Sequence, residues 1–191
     1  MTHSTTDNLI EELKPSALVR KYAPQIVSAS SGKPLLDIAC GSGRNSFVFS
    51  NLGCAVICVD RNLAGLRAQQ LRLSSTALGH TTSKMSLCQM DLVKDPWPFG
   101  VSQAGGIVNV HFLLPSLFRF FENSIVTGGY LLVETVPAHG GNYLELPKAG
   151  ELRSAFERVF DLEFYRERKA GPPNVDAVTV QLVARRKENS K

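Results

Sequence analysis

Short apolar runs alternate with helix-spaced segments along most of this chain. Runs at 35–39, 56–60, 85–92, 105–112 and 128–136 have the length and composition of buried strands. Between them, helical spacing predicts elements at about 43–52, near 115–125 and over "GELRSAFERVF" (150–160). A further helix is expected at 62–76, where Leu63, Leu66, Gln70 and Leu73 keep a mostly apolar helical period. Residues 7–29 carry another helical pattern, interrupted at Pro15 and Pro24. "DPWPFG" reads as a turn.

Strands that alternate with helices form a mostly parallel, doubly wound sheet. The end of the chain differs. Two strand-like runs, 161–169 and 175–185, are joined through "KAGPPNVD", which leaves no room for a crossover helix. They must pair as an antiparallel hairpin. The expected architecture is a single Rossmann-like α/β domain over 31–186. Its seven-stranded sheet would be mostly parallel, with the antiparallel hairpin at its C-terminal end. Residues 1–30 would form an N-terminal helical segment and 187–191 a charged tail.

Composition narrows the functions. At 191 residues the chain fits one domain. Its formal charge of +4 is only weak evidence for a nucleic-acid partner, because part of it comes from the terminal "ARRKENSK", which reads as a solvated end; nucleic acid is not the expected partner. No apolar stretch nears a membrane span, and the N-terminus lacks a secretory signal core, so the expectation is a cytoplasmic protein without a membrane partner. Cys40, Cys54, Cys58 and Cys88 lie in or beside predicted strands without a CxxC pair, as free thiols do. No metal site is expected.

The candidate chemistry lies in "LLDIACGSGRNSFVFSNLGCAVICVD" (35–60). A glycine turn here follows the first strand, at the carboxyl edge where doubly wound sheets bind ligands. A P-loop would need Gly-Lys-Ser/Thr, and no lysine follows. A dinucleotide fingerprint would need a third glycine or alanine where Ser46 stands, and it has no use for Asp37 inside the strand. A ligand bearing an ammonium group fits better. Asp37 can organise the turn and offset a positive amino group, while Asp60, ending the second strand, can accept ribose hydroxyls.

"LLDIACGSGRNS", "VICVDRN", "CQMDL" and "GGYLLVETV" together resemble the successive motifs of class I S-adenosylmethionine-dependent methyltransferases, over roughly residues 15–185. Within that family, "CGSGRNS…VDRN" and "GGNYLELPKAGEL" are similar to small bacterial methyltransferases of the tellurite-resistance type. The resemblance implies S-adenosylmethionine as cofactor. Backbone contacts to its methionine part would come from Ala39, Gly41 and Gly43, ribose binding from Asp60, and adenine contacts from Asp91 and the backbone of Leu92. Asn109, at the end of the fourth strand, would face the cofactor.

Two departures from the family stand out. Ala39 replaces the first glycine of the turn, a change the turn is expected to absorb. After the fourth strand, relatives commonly read Asn-Tyr-Leu-His-Arg-Pro-Leu-Phe where this chain has "HFLLPSLF". His111 takes the asparagine place, and Leu114 and Pro115 replace the His-Arg pair, which bears on the acceptor and not on the cofactor.

His111 is the candidate catalytic residue, by its place closing the fourth strand. "NVHF" lacks the prolines of enzymes that methylate base amines, and no carboxylate cluster for a catechol-type metal stands nearby. The expected acceptor is therefore a small molecule or a metalloid-like species, methylated by in-line displacement. His139, Tyr143 and Glu145 lie in a loop that could cover it. The alternative is a non-catalytic sensor or scaffold that binds S-adenosylmethionine.

Overall fold

A computed structural model describes residues 5–138 and 142–188. Seven strands form one sheet: β1 (Leu35–Ile38), β2 (Val56–Asp60), β3 (Met85–Gln89), β4 (Ala104–Val110), β5 (Ile125–Glu134), β6 (Phe160–Ala170) and β7 (Ala177–Arg186). Their spatial order is β3-β2-β1-β4-β5-β7-β6. β3 through β5 pair in parallel, and β7 inserts antiparallel between β5 and β6. This is the doubly wound sheet with a reversed C-terminal hairpin that the apolar pattern predicts. Helices α2 (Ala17–Ala29), α3 (Ser46–Asn51) and α4 (Ala64–Leu73) cover one face with Val19, Ile26, Phe47, Phe49 and Leu66. Helices α6 (Phe118–Ser124) and α7 (Glu151–Phe156) cover the other with Phe121, Leu152 and Phe156. No helix among the described residues is long and apolar enough to cross a membrane.

Several boundaries differ from the sequence pattern, each for a local reason. The N-terminal helical stretch breaks at Pro15, between α1 (Thr5–Glu12) and α2, where Lys14 takes a φ of 54°. Ser16 then caps α2, its hydroxyl accepting from the N–H groups of Leu18 and Val19 at 3.1 and 3.4 Å. Pro24 does not interrupt α2. It lies on the exposed side of α2.

The helix expected at 62–76 stops at Leu73 and is followed by the separate turn α5 (Gly79–Thr82). The hydroxyls of Ser74 and Thr76 donate to the carbonyls of Leu71 and Leu73, both at 2.7 Å, and satisfy the helix end. Residues 115–117 form a 3₁₀ turn opened by Pro115 before α6 begins. β5 starts earlier than its apolar run, at Ile125, because its pairing with β4 shifts register between Ala104 and Gly106. α3 begins at Ser46, because the residues before it belong to the glycine turn.

Candidate functional site

The turn after β1 has a left-handed backbone. Ala39, Gly41 and Gly43 have φ of 56°, 55° and 78°. Glycine visits this region freely, whereas an alanine there costs roughly 1–2 kcal/mol. The turn absorbs Ala39 by adopting the glycine conformation, not by changing shape. At Gly43 a β-carbon would sit 2.4 Å from Leu66 Cδ1, so α4 packs directly on the turn. At Gly41 a β-carbon would meet open space.

Beneath the turn Asp37 is 2% exposed, on the last residues of β1. Ser46 Oγ donates to its Oδ2 at 2.5 Å, and Cys58 Sγ donates in turn to Ser46 Oγ at 3.3 Å. Burial pushes the Asp37 carboxyl up to about 7, against the opposing hydrogen bonds from Ser46 and the charge of Arg44. A hydrogen bond with Cys58 and burial push the Cys40 thiol up as well. All four cysteines are free, three of them buried and Cys88 half-buried.

Asp60 closes β2 directly beside the turn. Its Oδ2 accepts from the N–H of Gly41 at 2.8 Å and its Oδ1 from that of Asn62 at 2.9 Å. Each carboxylate oxygen retains a further lone pair. Asp60 shares a cleft of about 360 Å³ with Ala39, Met90, Asp91, Leu92 and Phe112. Asp91 is largely occupied by its own turn: its Oδ1 accepts from Val93 N–H at 3.0 Å, and its N–H donates to Asp95 Oδ2 at 2.7 Å. Leu92 is buried at 9% exposure. The structure therefore brings Ala39, Asp60, Asp91 and Leu92 into one cleft, with Gly41 bonded to its rim.

Asn109 is buried on β4, next to Ile38, and its Nδ2 donates to Ile38 O at 3.3 Å. It ties the carboxyl ends of β4 and β1 together. His111 follows with a φ of 64°, its N–H donating to Glu134 O at 2.7 Å. Its ring is exposed, and Arg44 Nη2 lies 3.1 Å from Nδ1. An arginine can only donate, so Nδ1 accepts and the ring proton resides on Nε2. Partial desolvation of the ring and the Arg44 charge hold the imidazole below its ordinary value, against the opposing charge of Glu134.

Five residues at this edge are not among the candidates read from the sequence. Arg44 Nη1 also donates to Lys14 O at 3.0 Å. Asn45 Oδ1 accepts from Ser16 N–H at 2.9 Å, and the Ser16 hydroxyl donates to Glu134 Oε2. Gln181 Nε2 donates to Glu134 Oε1 at 2.6 Å. The α1–α2 connection is thereby fastened to the glycine turn and to the end of β5. Only Arg44 carried a signal, as the cation inside "CGSGRNS".

Other singled-out residues have structural places. Trp97, the aromatic of "DPWPFG", donates from Nε1 to Ser124 Oγ at 3.0 Å and stacks on Phe120, the pair half-buried against the core. Leu114 packs against the core and Pro115 opens the 3₁₀ turn, so the altered segment builds local structure. Tyr143 lies against Gly171, Glu145 ends the 3₁₀ turn 142–145, and His139 falls outside the described residues. Among the described residues, no group of His, Cys, Asp or Glu is arranged to hold a metal ion.

The chain matches the family model of the tellurite resistance protein TehB over residues 17–147. No curated protein matches it by sequence. Among solved structures it is similar to TehB from Haemophilus influenzae, with 21% identity and a TM-score of 0.62 over 88% of this chain. The chain spans 61% of that protein's length. It also shares its fold with a geranyl diphosphate methyltransferase in complex with SAM, at 13% identity and a TM-score of 0.63, covering 87% of this chain and 85% of the other. A third similar structure is the 1,6-didemethyltoxoflavin-N1-methyltransferase of Burkholderia thailandensis, with bound 1,6-didemethyltoxoflavin and S-adenosylhomocysteine. It has 13% identity and a TM-score of 0.57, over 96% of this chain and 84% of the other.

Proposed function

The chain belongs to the tellurite resistance protein TehB family, and we propose that it is an S-adenosylmethionine-dependent methyltransferase acting on a small-molecule or metalloid-like acceptor. The observation that carries this reading is the pairing of the left-handed turn at 39–43 with Asp60, whose carboxylate is oriented by the N–H of Gly41. Structures of the same fold that hold SAM or S-adenosylhomocysteine support it.

The residues present fit the cofactor. Asp37, buried and bonded to Ser46, supplies a carboxylate under the turn that favours an ammonium above it. Asp60 keeps lone pairs free to accept the two ribose hydroxyls, and the cleft it shares with Asp91 and Leu92 takes the adenine. Ala39, Gly41 and Gly43 offer backbone to the methionine part, and Asn109 holds the β1 and β4 ends at which the methyl group would lie.

When bound, the cofactor supplies an activated sulfonium methyl group. The protein's share of the catalysis is then chiefly positioning, which for well-oriented reactants is equivalent to about 10⁵–10⁸ M. In this reading His111, whose Nδ1 accepts from Arg44 and whose proton is therefore on Nε2, donates a hydrogen bond to the acceptor.

Thermal denaturation with S-adenosylhomocysteine and, separately, with NAD tests the reading. A ligand at 100 times its dissociation constant adds about 2.7 kcal/mol. Stabilisation by the first and not the second is expected. Stabilisation by NAD alone would sink the proposal. Labelled donor with a panel of thiol, selenite and tellurite acceptors then identifies the substrate by transfer of the label.

A further inference from the structure

A second cleft opens at the carboxyl end of β5, on the far side of Glu134 from His111. It encloses about 340 Å³ and is lined by Glu134, Thr135, Arg166, Arg168, Lys169 and Gln181 among others. Register explains the cluster. Glu134 pairs with Gln181 across β5–β7, and Gln181 pairs with Arg166 across β7–β6. Arg168, two residues further along β6, projects to the same face as Arg166. Tyr130 and Phe164 lie on that face nearer its covered part, where they meet Gln25 and Tyr22 of α2. α2 begins only at Ala17, so the strand ends beyond it form an open, polar hollow.

The charge in this hollow is not balanced from within. Glu134 is its one carboxylate, and both its oxygens are taken by neutral donors, the Ser16 hydroxyl and the Gln181 amide. Arg166 donates to the amide oxygen of Gln181, and Lys169 to the carbonyl of Pro173 at 3.0 Å. Among the described residues none of the three cations is in an ion pair. Two guanidinium forks on one strand face, beside the hydroxyl of Thr135, suit an anion with several acceptor oxygens.

We propose that this cleft binds the anionic oxygen group, carboxylate or phosphate, of an organic acceptor, and so presents the rest of that molecule to the edge at His111. The backbone bond from His111 N–H to Glu134 O makes the two places neighbours. The acceptor's charge is thus recognised from β6, while residues 111–118 after β4 carry no Lys or Arg. The link to an acceptor rests on the methyltransferase reading; the anion site itself does not.

Amide chemical shifts of the full chain, saturated with S-adenosylhomocysteine, can be followed during titration at low salt with benzoate, phenyl phosphate and the neutral benzamide. Saturable shifts at Thr135, Arg166 and Arg168 are expected with one or both anions and not with benzamide. The tighter anion then assigns carboxylate or phosphate. The double variant Arg166→Gln/Arg168→Gln should weaken binding at least about tenfold, while Arg166→Lys/Arg168→Lys keeps most of it. Benzamide binding as well as the anions, an absence of saturable shifts, or equal losses in the two double variants would each overturn the proposal. Anion binding in a protein that fails to bind S-adenosylhomocysteine would instead leave the cleft standing and remove the methyltransferase reading.

Discussion

Asp60 and Asp91 occupy the same cleft, yet they are held in different ways. Asp60 reaches across from β2 to the glycine turn, so its removal frees the Gly41 N–H and takes away the carboxylate proposed to accept the ribose hydroxyls. Asp60→Ala should weaken S-adenosylhomocysteine binding by roughly 1.5–3 kcal/mol, about tenfold to a hundredfold, in a protein that still folds. Asp91 serves mainly its own turn. Asp91→Asn should therefore cost less affinity, and titration calorimetry on both variants would expose a reversed order. His111 poses a kinetic question. If its Nε2–H supports the acceptor, His111→Ala should lower kcat while donor affinity changes only a few-fold. Normal turnover in that variant would reduce His111 to a strand-end residue whose left-handed φ serves the chain's path alone.

At the level of elements, the turn after β1 keeps its shape with an alanine where glycine would be unstrained. Ala39→Gly relieves about 1–2 kcal/mol of left-handed strain and returns about 0.4–1 kcal/mol through greater freedom of the unfolded chain. The variant should be more stable by about 0.5–1 kcal/mol, seen as a higher urea midpoint at unchanged slope. Most elements were legible in the sequence because their cause is local. The run "LLDI" needs only its own apolar side chains, and the hairpin needs only the shortness of "KAGPPNVD". The contacts that frame the edge at His111 were not legible. Ser16 meets Glu134 across 118 positions, and Arg44 meets His111 across 67, so no window of sequence contains either pair. Pro24 misled for the opposite reason: its local signal is strong, but its exposed place on α2 makes it tolerable.

The buried carboxyl of Asp37 couples the whole molecule to pH. Its value of about 7 in the fold exceeds the ordinary 3.8, so the folded state retains a proton that the unfolded chain loses between about pH 4 and 7. Stability from this group is full below that window and falls as pH rises through it. Melting profiles of Asp37→Asn should lack the decline. A cation beside Asp37 favours the ionised form, so affinity for S-adenosylhomocysteine should rise as pH passes from 6 toward 8, by about the fraction of Asp37 that ionises. A pH-independent affinity would place the ammonium elsewhere.

The position of β7 has a consequence for synthesis. Ala177–Arg186 follows both β5 and β6 in sequence, yet it stands inside the sheet, between them. Until those residues leave the ribosome, β5 presents an unpaired edge and β6 has nothing to join it to. Pairing with β5 links residues about fifty positions apart, Tyr130 with Arg185 among them, and such long loops close slowly. Between the emergence of β5 and that of β7 the nascent chain therefore carries an open, apolar strand edge, and a chaperone that shielded it would act within that interval.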